Sequence, residues 1–218
     1  MVLFGDSHAA QFFPALRRIG AREGWRLVSL TKSACTPADV ELWSQRLGRL
    51  YEECAEWRER ALERIGEERP DMTIVSGASL YSVAEDGERL EGRNSKALEA
   101  GLVRTLERLR AASRKVVVIA DIPYPPFDVP ACVSEHLDAL DECAFDIAER
   151  RNAKPFDRRA AKAVKGVRLV EVTDAICPRG LCRAVIGDAL TYRDATHLSA
   201  TFVRTLAPLL EARLPDLD

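Results

Sequence analysis

No apolar run in this sequence reaches the roughly 18 residues that a bilayer-spanning helix requires, so no transmembrane span has to be accommodated. Charge of one sign is equally scarce. Acidic and basic residues nearly cancel, 34 against 32, at a net charge of -2. The chain as a whole therefore exerts no pull on nucleic acid or on an anionic membrane. Mixed Arg-Glu stretches such as residues 52–64 read as solvated helix faces. There are no internal repeats, no low-complexity tract and no linker that would divide the chain. The expectation is one domain over residues 1–218. A secretory signal is also missing, because the chain opens directly on the strand-like Val2-Leu3-Phe4. That leaves either a cytoplasmic protein or a domain cut from the C-terminal part of a longer membrane protein.

Six cysteines are present: Cys35, Cys54, Cys132, Cys143, Cys177 and Cys182. A structural zinc site wants cysteines two to four residues apart, with a second pair or histidines close by. Only Cys177 and Cys182 are near each other, and no histidine flanks them, so no metal is expected. An even number in loop-like contexts points instead to three disulfides and an oxidising compartment. This favours the origin as a domain of a longer protein. Six cysteines leave many pairings open. The nearest-neighbour set Cys35–Cys54, Cys132–Cys143 and Cys177–Cys182 is preferred, and each bridge would stabilise by about 2–3 kcal/mol.

Apolar spacing sets out the elements. Strands are expected at Val2–Phe4, Arg26–Leu30, Met72–Val75, Lys115–Ala120 and Val167–Val172. Val116-Val117-Val118-Ile119 reads as the clearest buried strand. Helices are expected at Ala9–Arg22, Leu50–Ile65, Ala97–Ala112, Leu137–Arg151, Asp157–Val164 and Ser199–Arg213, the last with Ser199 as N-cap. Residues 79–93, the proline-rich Asp121–Pro130 and Cys177–Cys182 read as loops. Strand and helix alternate about five times, which predicts a three-layer α/β/α sandwich with a five-stranded parallel sheet. Sites in such folds lie at the carboxyl ends of strands. That rule gathers 5–8, 31–34, 76–79 and 121–124 on one rim.

Two motifs fall on that rim. Gly5-Asp6-Ser7-His8 follows the first strand. Gly5 allows a sharp turn, and the turn's N–H groups can face a developing oxyanion. Asp and Ser are also common helix caps, so these four residues alone are weak evidence. Asp194-Ala195-Thr196-His197 precedes the last helix. A serine needs a base, and an imidazole needs an orienting carboxylate. Three-residue spacing lets Asp194 reach its own partner's ring, although the pair could also be mere caps. The chain has only three histidines, His8, His136 and His197. The two motifs on one rim specify a Ser7 nucleophile with an Asp194/His197 base far better than either does alone.

Gly5-Asp6-Ser7-His8-Ala9 together with Asp194-x-x-His197 resembles the SGNH (GDSL-type) hydrolase superfamily over nearly the whole chain. The Gly-Asp-Ser-His-Ala form, the loop Thr31-Lys32-Ser33-Ala34-Cys35 and the scattered cysteines resemble one subgroup most. These are the SGNH domains fused behind integral-membrane acyltransferases of family 3, which O-acetylate bacterial surface polysaccharides. The resemblance implies a flavodoxin-like SGNH fold, Ser7 as nucleophile, His197 as general base and Asp194 as its orienter. It implies a periplasmic or extracellular domain tethered through an N-terminal membrane acyltransferase. The substrates would be an acyl ester and a glycan acceptor, the acyl group being acetyl, without cofactor.

The chain departs from the wider superfamily at the oxyanion donors. That superfamily takes a glycine and an asparagine from the loops after the second and third strands. Here those loops read Ser33-Ala34 and Ser76-Gly77-Ala78-Ser79, as the fused subgroup also tends to lack the usual pair. Ser7 N–H is one expected donor, with Ser33, Gly77 and Ser79 as further candidates. His8, Tyr81 and Tyr124 are candidate substrate-lining residues, and Trp43, in loop-like surroundings, is the best sugar-stacking candidate. Asp121 reads as a strand-end cap and His136 as a surface or helix-start residue. Tyr192 and Arg193 are expected to shape the His197 loop. Two rival readings remain: a free-standing esterase for small acyl esters, and a glycan-binding module with a vestigial triad.

Overall fold

The structure, a computed structural model, describes residues 1–90, 94–152 and 156–217. Five parallel strands form its centre: β1 (Val2–Gly5), β2 (Val28–Thr31), β3 (Met72–Ser76), β4 (Lys115–Ile119) and β5 (Val167–Val170). They hydrogen-bond in the order β2-β1-β3-β4-β5. Gly5 aligns with both Thr31 and Ser76. The strand order reverses direction between β1 and β3, which is where a doubly wound sheet opens its crevice.

Nine helices among the described residues cover the sheet: α1 (Ser7–Ala10), α2 (Phe13–Glu23), α3 (Glu52–Glu68), α4 (Ser95–Ala112), α5 (Val129–Glu135), α6 (Phe156–Ala163), α7 (Thr173–Ile176), α8 (Ala200–Thr205) and α9 (Ala207–Arg213). Alternate strand side chains face opposite layers. Leu3, Ile74, Val117 and Ile119 bury against Leu16 and Ile19 of α2, Phe202 of α8 and Leu210 of α9. Phe4, Val75, Val116 and Val118 bury against Ile65 of α3, Leu102 and Leu106 of α4 and Ala160 of α6. The architecture is the three-layer sandwich with a five-stranded parallel sheet that the sequence predicts. Among the described residues no helix is long and apolar enough to cross a membrane. All six cysteines pair as nearest neighbours: Cys35–Cys54, Cys132–Cys143 and Cys177–Cys182.

Local departures have local causes. The helix expected at Ala9–Arg22 is two, because Pro14 starts α2 afresh after the single turn of α1. The closing helix likewise divides at Leu206, where Pro208 opens α9 and removes a backbone donor. No helix spans Leu137–Arg151. Turns at Leu140–Cys143 and Ile147–Glu149 flank a short strand, Phe145–Asp146, paired antiparallel with Leu181–Cys182. Cys143 is bonded to Cys132 and Phe145 is buried, so this segment takes an extended path instead. The helix lies earlier, as α5, partly inside the stretch read as loop. Asp128 caps it by accepting the Ala131 N–H, and Pro130 fits its first turn. His136 therefore ends a helix rather than starting one.

The expected loop at 79–93 also contains structure, although residues 91–93 lie outside the described residues. Strands Val83–Glu85 and Glu88–Arg89 form a hairpin turned by Asp86 and Gly87, both at positive φ, the backbone that an Asp-Gly turn favours. This hairpin joins Glu41–Ser44 and Arg49–Leu50 in a second, four-stranded antiparallel sheet. Trp43 thus lies on a strand rather than in a loop. The Cys35–Cys54 bridge packs beside Leu42 beneath it.

Candidate active site

The site is built on the β1–α1 turn. Gly5 has φ +145, and a Cβ there would lie 1.9 Å from the Ser76 carbonyl oxygen. Only glycine lets β1 run this close to β3. Asp6 caps α1, its Oδ1 accepting the His8 N–H at 2.7 Å. Its Oδ2 accepts the Ala78 N–H at 2.8 Å and the Tyr81 hydroxyl at 2.5 Å. Asp6 is thus fully buried and ties the β1 turn to the segment after β3. Burial pushes its carboxyl above the ordinary carboxylate range. Ser7 is left at the edge as the first residue of α1.

The loop before α8 meets it from the other side. Asp194 Oδ1 accepts the N–H groups of Thr196 and His197, both at 2.8 Å, which folds the motif into a tight turn. Both Asp194 carboxylate oxygens lie 3.0 Å from His197 Nδ1. His197 Nε2 then lies 2.8 Å from Ser7 Oγ. With Nδ1–H donated to the carboxylate, Nε2 is the free acceptor and the serine hydroxyl donates to it. A hydroxyl held by a free-base imidazole, itself held by a carboxylate, is an arrangement that can deliver a nucleophilic oxygen.

Electrostatics keep each partner in that form. Burial pushes Asp194 up, but its backbone donors and the His197 ring outweigh this and hold the carboxyl below its ordinary value. Burial and a neighbouring positive His8 push His197 below the ordinary imidazole value, against the pull of Asp194.

Four residues outside the motifs anchor the loop. Gln11 Oε1 accepts the Leu198 N–H at 2.9 Å. Arg151 donates to the Ala195 carbonyl at 2.6 Å and to the Pro125 carbonyl at 2.8 Å. Tyr192 bridges to Leu198 and donates its hydroxyl to the Pro123 carbonyl, while the Arg193 N–H donates to the His197 carbonyl. Gln11 and Arg151 carried no sequence signal, since a lone Gln in a helix and an Arg in a mixed-charge stretch resemble any others.

Several candidates have other roles than expected. His8 is buried and does not line the surface: its Nδ1 lies 2.7 Å from Asp121 Oδ1, and its ring is 4.5 Å from that of His197. Asp121 is therefore more than a strand-end cap. Its Oδ2 accepts the Ser79 N–H at 2.8 Å, the Ser79 hydroxyl at 2.6 Å and the Tyr124 hydroxyl at 2.6 Å. Ser79 thus spends both donors on Asp121, which removes it as an oxyanion candidate, and Tyr124 is buried behind the site rather than lining it. Burial alone would push His8 down, but the Asp121 carboxylate outweighs it and raises the imidazole above its ordinary value. Tyr81 does line an adjoining cavity. Gly77 packs against Pro37, where a Cβ would come within 2.6 Å of the ring. Ser33 is exposed, and Ala34 beside it takes a left-handed φ of 56°, a conformation that costs a non-glycine residue and clusters at functional sites.

A doubly wound α/β domain with a serine, a histidine and an aspartate in one hydrogen-bond line at its switch point defines a class of protein. The SGNH domain family, described as fused to AT3 domains, matches residues 1–212, and the chain belongs to that family. Among solved structures, it is similar to the periplasmic domain of a Salmonella ser. Paratyphi A lipopolysaccharide acetyltransferase, at 16% identity and a TM-score of 0.72, over 97% of this chain and 81% of that one. At that identity the likeness speaks for the fold. No curated protein sequence matches the chain significantly.

Proposed function

We propose that this domain is a serine-dependent O-acyl transferase or esterase that acts on a bacterial surface glycan through an acyl-serine intermediate. The observation that carries the reading is the unbroken line from Ser7 Oγ to His197 Nε2, at 2.8 Å, and from His197 Nδ1 to Asp194, at 3.0 Å. Family membership and the solved lipopolysaccharide acetyltransferase domain of the same fold support the acyl-transfer class.

In the first half-reaction His197 Nε2 takes the Ser7 proton as Oγ bonds to the ester carbonyl carbon. The tetrahedral oxyanion then collapses, the carbon–oxygen bond to the leaving group breaks, and the imidazolium returns the proton to that leaving oxygen. In the second half-reaction His197 deprotonates water or a sugar hydroxyl, whose oxygen bonds to the acyl carbon; the bond to Ser7 Oγ then breaks and the imidazolium returns the proton to Ser7. The Ser7 N–H is the oxyanion donor this reading relies on, with Gly77 and Ser33 as further candidates. Loss of one such donor typically costs about 10²–10³ in rate, so slow hydrolysis with faster transfer to a positioned acceptor is expected. Acetyl is the acyl group the family suggests. The three disulfides and the family's fusion to AT3 domains support a periplasmic or extracellular domain tethered to a membrane acyltransferase that supplies the acyl group.

The test is reaction with a serine-directed fluorophosphonate followed by peptide mass spectrometry, beside hydrolysis of p-nitrophenyl acetate. A label on Ser7, with label and turnover both lost in Ser7→Ala, is the expected result. Turnover that survives Ser7→Ala would overturn the reading.

A further inference from the structure

Beside the Ser7 rim lies a cavity of about 730 Å³ that neither Ser7 nor His197 lines. Most of its wall comes from outside the five-stranded frame: Leu42, Trp43, Gln45 and Arg46 of the second sheet and its turn, and Leu80 and Tyr81 from the segment after β3. Three features join it to the reacting groups. Ala34 and Ser79 are shared with the rim, and Arg151 in its wall donates to the Ala195 carbonyl between Asp194 and His197.

The chemistry of the wall narrows the occupant. Its size is that of a site enclosing a small organic ligand. Trp43, Tyr51 and Tyr81 offer flat apolar faces, while Gln45, Ser82 and Asn94 offer amides and hydroxyls. That alternation suits a sugar, whose C–H faces pack on rings and whose hydroxyls need polar partners. Charge is the decisive feature. Among the described residues, two guanidinium groups, Arg46 and Arg151, line the cavity and no carboxylate does, although acidic residues slightly outnumber basic ones in the chain. Arg46 is exposed and has no ion pair among the described residues. The Arg151 hydrogen bonds run to two neutral carbonyls, which leave its charge uncompensated. A concave surface with only unmatched cations concentrates anions, and a guanidinium binds an oxyanion group in a forked geometry.

We propose that this cavity is the acceptor subsite and that it selects an acidic sugar, one bearing a carboxylate or phosphate group. The acceptor role rests on the acyl-transfer reading above; the preference for an acidic sugar does not. Arg46 and Trp43 are its specificity-determining residues.

The experiment is an NMR titration of the Ser7→Ala domain with two charged–neutral pairs: tetragalacturonate against its fully methyl-esterified form, and glucose 6-phosphate against glucose. The first pair reads a carboxylate and the second a phosphate. Expected is binding of at least one charged member about ten-fold tighter than its neutral counterpart, with shifts at Trp43. Arg46→Gln, an exposed change that leaves the core untouched, should abolish most of that preference, and Trp43→Ala should weaken both members of a pair. Equal binding within both pairs, no binding at millimolar concentration, or a preference that survives Arg46→Gln would overturn the proposal. Fluorophosphonate labelling of Ser7 in the wild-type domain separates the two readings. Normal labelling without selective binding sinks the subsite alone, whereas selective binding without labelling keeps the acidic-sugar site and sinks the acyl-serine chemistry.

Discussion

Two Asp–His pairs face each other across the site, their imidazole rings 4.5 Å apart. Asp194 and His197 are three residues apart, partly exposed, and end on a serine. Asp121 and His8 are 113 residues apart and buried, and His8 has the deeper cage: Asp121 at 2.7 Å, with Asp6 and Asp194 also acting on it. Their protonation diverges. His8 is raised because Asp121 outweighs burial, while His197 is lowered by burial and by the His8 charge, opposed by Asp194 and reinforced weakly by Arg193. One pair type thus favours the imidazolium in one place and the free base in the other. Environment decides, because the same carboxylate attraction competes with different desolvation and different neighbours. In the acyl-transfer reading, His8 keeps the neighbouring base unprotonated.

Breaking the outer pair should have the largest effect on turnover. Ser7→Ala or His197→Ala is expected to lower kcat for p-nitrophenyl acetate by about 10³-fold or more, and Asp194→Asn by about 10²–10⁴-fold. Thermal melts should show the reverse order. His8→Ala leaves Asp121 buried without its counter-charge, a loss of about 3 kcal/mol, or a fall in Tm of about 8 °C. The partly exposed Asp194→Asn change should cost less than about 1 kcal/mol. Equal losses at the two sites would remove the distinction drawn between them.

A pH profile sharpens the comparison further. The acid limb of kcat/KM reports the free enzyme's base, so it should fall below the ordinary imidazole value. The sign under mutation follows from the cause: His8→Gln removes a positive charge that disfavours protonated His197, so the limb should move to higher pH. An acid limb unmoved, or moved down, would show that the two rings are electrostatically independent. The smallest effect is expected at Tyr124→Phe, which removes one of the donors to Asp121 and should cost about 1 kcal/mol with kcat nearly unchanged, checked by melt and by rate.

The same two pairs mark where reading the chain stops. Asp194 and His197 are legible because a turn of three residues is a local object and the chain has few histidines. The five strands and the nearest-neighbour disulfides are legible for similar reasons, since apolar alternation and short loops act over short distances. The 137–151 segment was not, because a helical pattern there loses to the Cys132–Cys143 bridge and to the burial of Phe145. The hairpin at Val83–Arg89 hides in a polar stretch, as one Asp-Gly turn among charged residues is a faint signal, and the strand that carries Trp43 is defined only by its partners.

By itself, then, the sequence determined the layered α/β frame, an even set of cysteines that favours nearest-neighbour bridges, and the serine and Asp–His motifs at the two ends of the chain. Only the tertiary structure decided that His8 turns inward to Asp121, that Ser79 and Tyr124 serve that carboxylate, that Arg151 braces the His197 loop, and that a second sheet walls a cavity beside it. The physical reason is distance along the chain. Motifs and periodicity act within a turn or two of backbone, whereas a buried charge pair or a cavity wall is chosen by whichever remote groups the packed core brings within hydrogen-bond reach.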